Sequence, residues 1–268
     1  MRKVALIGAG RMGGALLTGW LAGGLSPSDI IIVDPHPGEA ANAAIKQGAM
    51  HSESLTDRQA ADLETVFLAI KPQMFEALTP DIASVLPLQT RIVSVLAGIT
   101  LAKMEAVFGA RPLVRAMPNT PAAIGKGVTG YVLNSRCKKA DGKAAAKLLE
   151  AGGKVLQVSE EGLIDVVTGI SGSGPAYVFY MVEALCKAGI EAGMPAENAM
   201  VLARQTIIGA GALLEASPQT AEDLRVAVTS PNGTTQAGLE VLMADDGLAP
   251  LMKAVVKAAT DRSRELGS

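Results

Sequence analysis

Lys3-Val4-Ala5-Leu6-Ile7-Gly8-Ala9-Gly10-Arg11-Met12-Gly13 decides the fold. A short apolar run leads directly into a Gly-x-Gly-x-x-Gly spacing, and residues 12–22 then read as a helix. A second apolar run, residues 30–33, ends in Asp34. Strand, glycine turn, helix and a second strand closed by a carboxylate is the order in which a dinucleotide-binding βαβ unit is built. Gly8 permits the tight turn, Gly10 lets the backbone approach a pyrophosphate, and Gly13 lets the helix lie close on the strand. The helix N-terminus presents free N–H groups and the positive end of its dipole to the phosphates. A purely structural glycine turn would share the spacing, but the buried strand before it and the helix after it favour a ligand. The residues expected at the cofactor are Ile7, Gly8, Ala9, Gly10, Arg11, Met12, Gly13 and Asp34.

Further apolar runs follow at residues 65–69, 91–95, 113–116, 127–133 and 155–158, with helical stretches at 39–47, 73–85, 101–108 and 139–151 between them. The runs are continuous rather than alternating, so both faces of each strand are buried. That pattern predicts a mostly parallel, doubly wound sheet. Beyond about residue 160 the pattern is helical only, at 163–169, 176–192, 196–215, 221–228, 235–243 and 248–266. The expectation is a Rossmann-like α/β domain over residues 1–160 and an all-α domain over residues 161–268.

Ligands of doubly wound sheets bind beyond the carboxyl ends of the strands. Three later loops should therefore border the cofactor: Ala69-Ile70-Lys71-Pro72, then Ala97-Gly98, then Asn119-Thr120 within Met117-Pro118-Asn119-Thr120-Pro121. The small residues at 97 and 98 would let a nicotinamide ring lie flat, and the two prolines stiffen the last loop. Asp34 stands where a carboxylate meets an adenosine ribose and repels a 2′-phosphate. That leans toward NADH, although Arg11 could reach such a phosphate, so NADPH stays open.

The 268 residues are 49% hydrophobic and 19% charged, which excludes a disordered chain. Mean hydropathy is high, at +0.31. A membrane span needs about 20 nearly uncharged apolar residues. The best stretches, 176–190 and 201–214, are interrupted by Glu183, Lys187 and Arg204. Buried apolar surface between subunits accounts better for the excess. Met1-Arg2-Lys3-Val4 runs straight into a strand, so no secretory leader is expected, and the two cysteines suggest reduced thiols in a cytoplasmic protein. A net charge of −2 argues against nucleic acid as a partner. With only His36 and His51, neither a histidine metal site nor a Ser-His-Asp triad is expected.

Two C-terminal stretches stand out. Ser171-Gly172-Ser173-Gly174-Pro175 precedes an apolar helix, where Ser173 or Gly174 suits an N-cap and Pro175 a first turn. Val228-Thr229-Ser230-Pro231-Asn232-Gly233-Thr234-Thr235 joins two helices. Asn232 and Gly233 can take positive φ, and Thr234 or Thr235 starts the next helix. Hydroxyls and N–H groups gathered at a helix N-terminus suit a small carboxylate, though an ordinary capped turn has a similar composition.

These pieces, in this order, resemble the Δ1-pyrroline-5-carboxylate reductase family. The match takes in Ile7–Gly13, Ala69–Pro72, residues 117–121, residues 171–177 and, most specifically, residues 224–239. The resemblance implies NAD(P)H-dependent reduction of a cyclic imine to proline. It also implies an obligate homodimer through the helical domain and assembly into pentamers of dimers. The substrate carboxylate would lie at Ser230, Asn232, Gly233, Thr234 and Thr235, with backbone N–H groups of residues 233–235 holding it and the Thr235 hydroxyl on the ring nitrogen. Such an imine is electrophilic, so hydride transfer needs mainly alignment and no histidine. β-Hydroxyacid dehydrogenases share the architecture, and Gly169, Gly172 and Gly174 fall in register with their glycines. Val178, however, stands where the lysine needed for alcohol oxidation should be. A non-catalytic dinucleotide sensor would have no use for the turn at 230–235.

Overall fold

A computed structural model describes residues 3–267. Met1, Arg2 and Ser268, the ends of the two expected domains, lie outside the described residues. Eight strands form one sheet in the order β3-β2-β1-β4-β5-β6-β7-β8. They are β1 Lys3–Ile7, β2 Ile30–Val33, β3 Met50–Ser52, β4 Leu63–Leu68, β5 Arg91–Ser94, β6 Leu113–Met117, β7 Gly127–Leu133 and β8 Gly153–Gln157. Every pairing is parallel except β6 with β7. The connecting helices are α1 Arg11–Ala22, α2 Glu39–Lys46, α3 Asp57–Ala60, α4 Phe75–Val85, α5 Leu101–Phe108 and α6 Lys139–Leu149. The doubly wound α/β class expected from the continuous apolar runs is the one observed.

β2 shows why those runs are continuous. All four of its residues are buried. Ile30 and Ile32 enter one core with Leu16, Leu17, Trp20 and Leu149, while Ile31 and Val33 enter the other with Phe75, Met104 and Phe108. Alternate side chains leave opposite faces of a strand, and helices cover both faces here. Trp20 packs edge-on against Phe67, centroids 5.2 Å apart, and its indole N–H donates to the Leu148 carbonyl at 2.8 Å. Buried Arg91 joins β5 to α6 through Asp141, at 2.8 Å, and donates to Thr65 at 2.7 Å.

The chain forms two compact units, one of residues up to Gly172 together with those from Ala259 onward, the other Ser173–Ala258. The change of class near residue 160 and the edge of the first unit therefore fall at different places. α7, Leu163–Val167, is helical yet packs on the sheet: a Cβ on Gly130 of β7 would meet Val167 Cγ1 and Cγ2 at 2.7 Å. The helix expected over 163–169 stops short, because a π turn covers Thr168–Gly172. There the Thr168 and Ser171 hydroxyls donate to carbonyls four residues back, at 2.8 and 2.9 Å.

The second unit contains α8 Gly174–Glu191, α9 Ala196–Ala216, α10 Ala221–Ala227, α11 Thr234–Leu242 and the start of α12, Leu248–Gly267. Its buried apolar cluster is small: Cys186, Ala199 and Ala203, with Val182 beside them. Phe179, Tyr180, Val201, Leu202 and Ile208 are exposed. Among the described residues one helix, α9, is long and apolar enough to cross a membrane by length and composition alone, although Arg204 lies within it.

Cys137 is a free thiol that donates to the Leu113 carbonyl at 3.3 Å. Burial, reinforced by Asp141, pushes its pKa from an ordinary 9.0 up to about 11. A raised pKa in the fold contributes stability that is present below pH 9 and lost as pH rises toward 11. Cys137→Ala should therefore lose less thermal stability than the parent between pH 8.5 and about 10.5. Identical losses in the two proteins would remove the thiol from the alkaline transition.

Candidate cofactor and substrate sites

The glycine turn is shaped by close approach. Gly8 has φ +88°, and a Cβ there would lie 2.9 Å from the backbone carbon and oxygen of Ala69. A Cβ on Gly13 would sit 2.2 Å from the Gly8 carbonyl oxygen and 3.2 Å from Ala69 Cβ. A Cβ on Gly10 would meet nothing within 4 Å. Two of the glycines are thus required by the protein's own backbone, and the third faces a space that a ligand can enter. Gly10 is the N-cap of α1 and no side chain caps the helix, so N–H groups of its first turn stay open. Exposed Arg11 heads that turn. The cradle fits a dinucleotide pyrophosphate.

Asp34, half-buried at the end of β2, accepts from the Ala9 N–H at 2.7 Å with one carboxylate oxygen. The other accepts from the His36 N–H at 2.8 Å. The carboxylate is therefore oriented by the turn as well as placed beside it. His51 reaches the Asp34 carbonyl with Nε2 at 2.9 Å.

Ala69 and Ile70 follow β4 and are half-buried, with Ala69 N–H donating to the Ile7 carbonyl at 2.8 Å. Lys71 is exposed and opens a short 3₁₀ turn, Pro72–Met74. Exposed Ala97 and half-buried Gly98 follow β5. All of these residues follow carboxyl ends of neighbouring parallel strands, as expected. The Asn119 side chain is engaged within the fold. It is 9% exposed, its amide oxygen accepts from Val128 N–H at 2.9 Å, and its amide nitrogen donates to the Ser171 carbonyl at 3.1 Å. Its side chain ties the β6–β7 connection to the π turn, while Thr120 beside it is exposed.

In the second unit, Asn232 takes φ 58°, the left-handed value expected of it. Gly233 does not; it caps α11 at φ −89°, and no side chain caps the helix. The Gly233 N–H donates to the Ser230 carbonyl at 3.0 Å, closing the turn. The expected donor set of residues 233–235 is corrected accordingly: Gly233 is engaged within the turn, and the open first-turn N–H groups belong to Thr234, Thr235 and Gln236. The Gln236 side chain instead accepts from Asn232 N–H at 2.8 Å, which stiffens the turn from inside the helix. Ser230, Asn232, Thr234 and Thr235 are exposed. Gln236 escaped sequence reasoning because its side chain acts backward on residue 232. A Gln four residues after a left-handed Asn is the signal that would have found it.

A Rossmann-type sheet with an open, glycine-framed helix N-terminus defines a nicotinamide-dinucleotide oxidoreductase. A family profile described as pyrroline-5-carboxylate reductase dimerisation matches residues 161–266, and one described as NADP oxidoreductase coenzyme F420-dependent matches residues 3–98. The pyrroline-5-carboxylate reductase of Pseudomonas aeruginosa is 38% identical over 98% of this chain and 96% of its own. The solved structure of a pyrroline-5-carboxylate reductase from Coxiella burnetii matches with TM-score 0.92 and 32% identity, covering 100% of this chain and 99% of that one. The Plasmodium falciparum pyrroline carboxylate reductase with NADP bound matches with TM-score 0.81 and 27% identity, covering 100% and 98%. The chain belongs to the pyrroline-5-carboxylate reductase family.

The different surroundings of two glycines give a direct test. Gly10→Ala should leave the melting temperature unchanged and weaken NADH binding by about tenfold or more, because the new methyl enters ligand space. Gly13→Ala should lower the melting temperature, since its Cβ meets the protein's own backbone. Calorimetric titration and thermal unfolding of both variants decide it. Equal loss of stability in the two would contradict the assignment.

Proposed function

We propose that this chain reduces Δ1-pyrroline-5-carboxylate to L-proline with NAD(P)H, the last step of proline biosynthesis. Relatives matching the whole chain carry that activity in their names. The observation that carries the reading is that both helix N-termini the reaction would use, those of α1 and α11, lack a side-chain cap. When bound, a reduced nicotinamide supplies the hydride that the imine carbon accepts. The protein's part is to hold and orient. The first turn of α1 receives the pyrophosphate, and the loops at Ala69–Pro72, Ala97-Gly98 and Thr120 border the rest of the cofactor. The N–H groups of Thr234, Thr235 and Gln236 take the substrate carboxylate, with Ser230 and Asn232 shaping the turn around it. A hydrogen bond to a charged group is worth about 1.5–3 kcal/mol, so two or three of them fix a small anion firmly. The Thr235 hydroxyl bonds the ring nitrogen.

Cofactor choice follows from Asp34. Its charge is held at the end of β2, where the adenosine ribose lies, and it repels a 2′-phosphate. NADH is then preferred over NADPH. The helical residues from about 161 to 268 serve dimerisation. A unit whose buried apolar cluster is three residues, with Phe179, Tyr180 and Val201 exposed, needs a second copy to cover it. The same partner accounts for the apolar face of α9 without a membrane. The dimers assemble further into pentamers of dimers, and the protein works in the cytoplasm.

Thr235→Ala should lower kcat/KM for the imine by roughly 10- to 1000-fold, with dimer mass and NADH affinity unchanged. Wild-type kinetics would remove Thr235 from the mechanism. For the cofactor, Asp34→Asn should raise the NADPH-to-NADH ratio of kcat/KM by about tenfold. A wild-type ratio well above one would overturn the preference for NADH.

A further inference from the structure

The last turn of α12 lies against the loop that follows β5. Gly98 has φ +74°, and a Cβ on it would come within 2.9 Å of the Leu266 carbonyl oxygen and 3.4 Å of Leu266 Cβ. A Cβ on Gly267 would meet Thr100 Cγ2 at 3.4 Å and the Gly98 carbonyl at 4.0 Å. Residues 98–100 and 266–267 are therefore packed backbone against backbone. One turn earlier, buried Ser263 donates its hydroxyl to Asp165 at 2.7 Å. Asp165 lies 3.7 Å from Arg115, and Arg115 pairs with Glu161 at 2.8 Å. Glu161 in turn accepts from the Leu101 N–H at 2.7 Å, at the start of α5. The residues form a ring: from α12 through α7 and β6 to the first residue of α5, which the loop itself feeds. All of them belong to the first compact unit.

Arg115 and Asp165 are 4% and 8% exposed. Burying such a cluster is a costly way to seat a helix, and replacing buried ion pairs with apolar residues is often neutral or stabilising. What the cluster does specifically is set where the end of α12 meets Gly98. We propose that residues 263–267 are positioning residues for the nicotinamide half of the cofactor, holding the Ala97-Gly98 loop from behind through the Leu266–Gly98 contact. The proposal rests on the reading that this loop borders the nicotinamide. It differs from the role of the glycine turn and Asp34, which concern the pyrophosphate and adenosine half.

The two halves separate experimentally, since ADP-ribose carries everything but the nicotinamide. Full-length dimeric enzyme is compared with a variant lacking residues 266–268 and with Ser263→Ala, by calorimetric titration with NADH and with ADP-ribose. The deletion should weaken NADH about 3- to 10-fold and leave ADP-ribose unchanged, with Ser263→Ala giving a smaller loss of the same selectivity. If the deletion variant does not fold, Ser263→Ala decides alone. Equal weakening of both ligands, or of neither, overturns the proposal. Should the parent enzyme bind neither ligand, the cofactor reading itself falls, and that outcome is distinguishable because no variant is needed to see it.

Discussion

The contact between the glycine turn and the end of β4 governs the arrangement of everything around it. Ala69 backbone occupies the space where a side chain at Gly8 would stand, and the Gly8 carbonyl occupies the space where one at Gly13 would stand. α1 is thereby drawn down onto β1 and β4, the adjacent strands at which the strand order reverses. Its N-terminus then opens at the topological switch point, where the crevice of such a sheet lies. Asp34 reads the same geometry from the other side, because its carboxylate can reach Ala9 N–H only while the turn keeps that shape. The bare residues are therefore a packing requirement, and with them the N-terminus of α1 stays free of a side-chain cap.

A different constraint shapes the helical unit. α8 and α9 are long and apolar, yet the unit's buried apolar cluster is small. Exposed residues such as Phe179, Val201 and Val241 are too large and too many to be scattered surface apolars.

Legibility in the sequence tracked the range of the interactions concerned. The βαβ start, the two-faced burial of β2 and the change to all-α near residue 160 were readable, because each is a local pattern of residue types. β3 was not: Met50-His51-Ser52 has no apolar signature and becomes a strand by pairing with β2. α3 is a single turn held by the Thr56–Gln59 capping box, too short for periodicity to register. Asn119 looked like a free polar group, because its partners at Val128 and Ser171 come from elsewhere in the fold. Gly233 was expected to offer its N–H, but turn closure by Ser230 uses it and moves the open donors one residue along. The α12–Gly98 contact joins residues 168 positions apart, and no pattern in either segment announces it.

The two candidate binding points share one device. Each is a helix N-terminus with a glycine at the N-cap and no side-chain cap. Both offer backbone N–H donors at a helix start. That choice suits the chemistry, since a protonated cyclic imine already accepts hydride and requires chiefly that donor and acceptor be held together. Backbone N–H groups and a threonine hydroxyl keep their charge state across the physiological range. Rigidity is what the Gln236–Asn232 bond supplies at one site and the Asp34–Ala9 bond at the other.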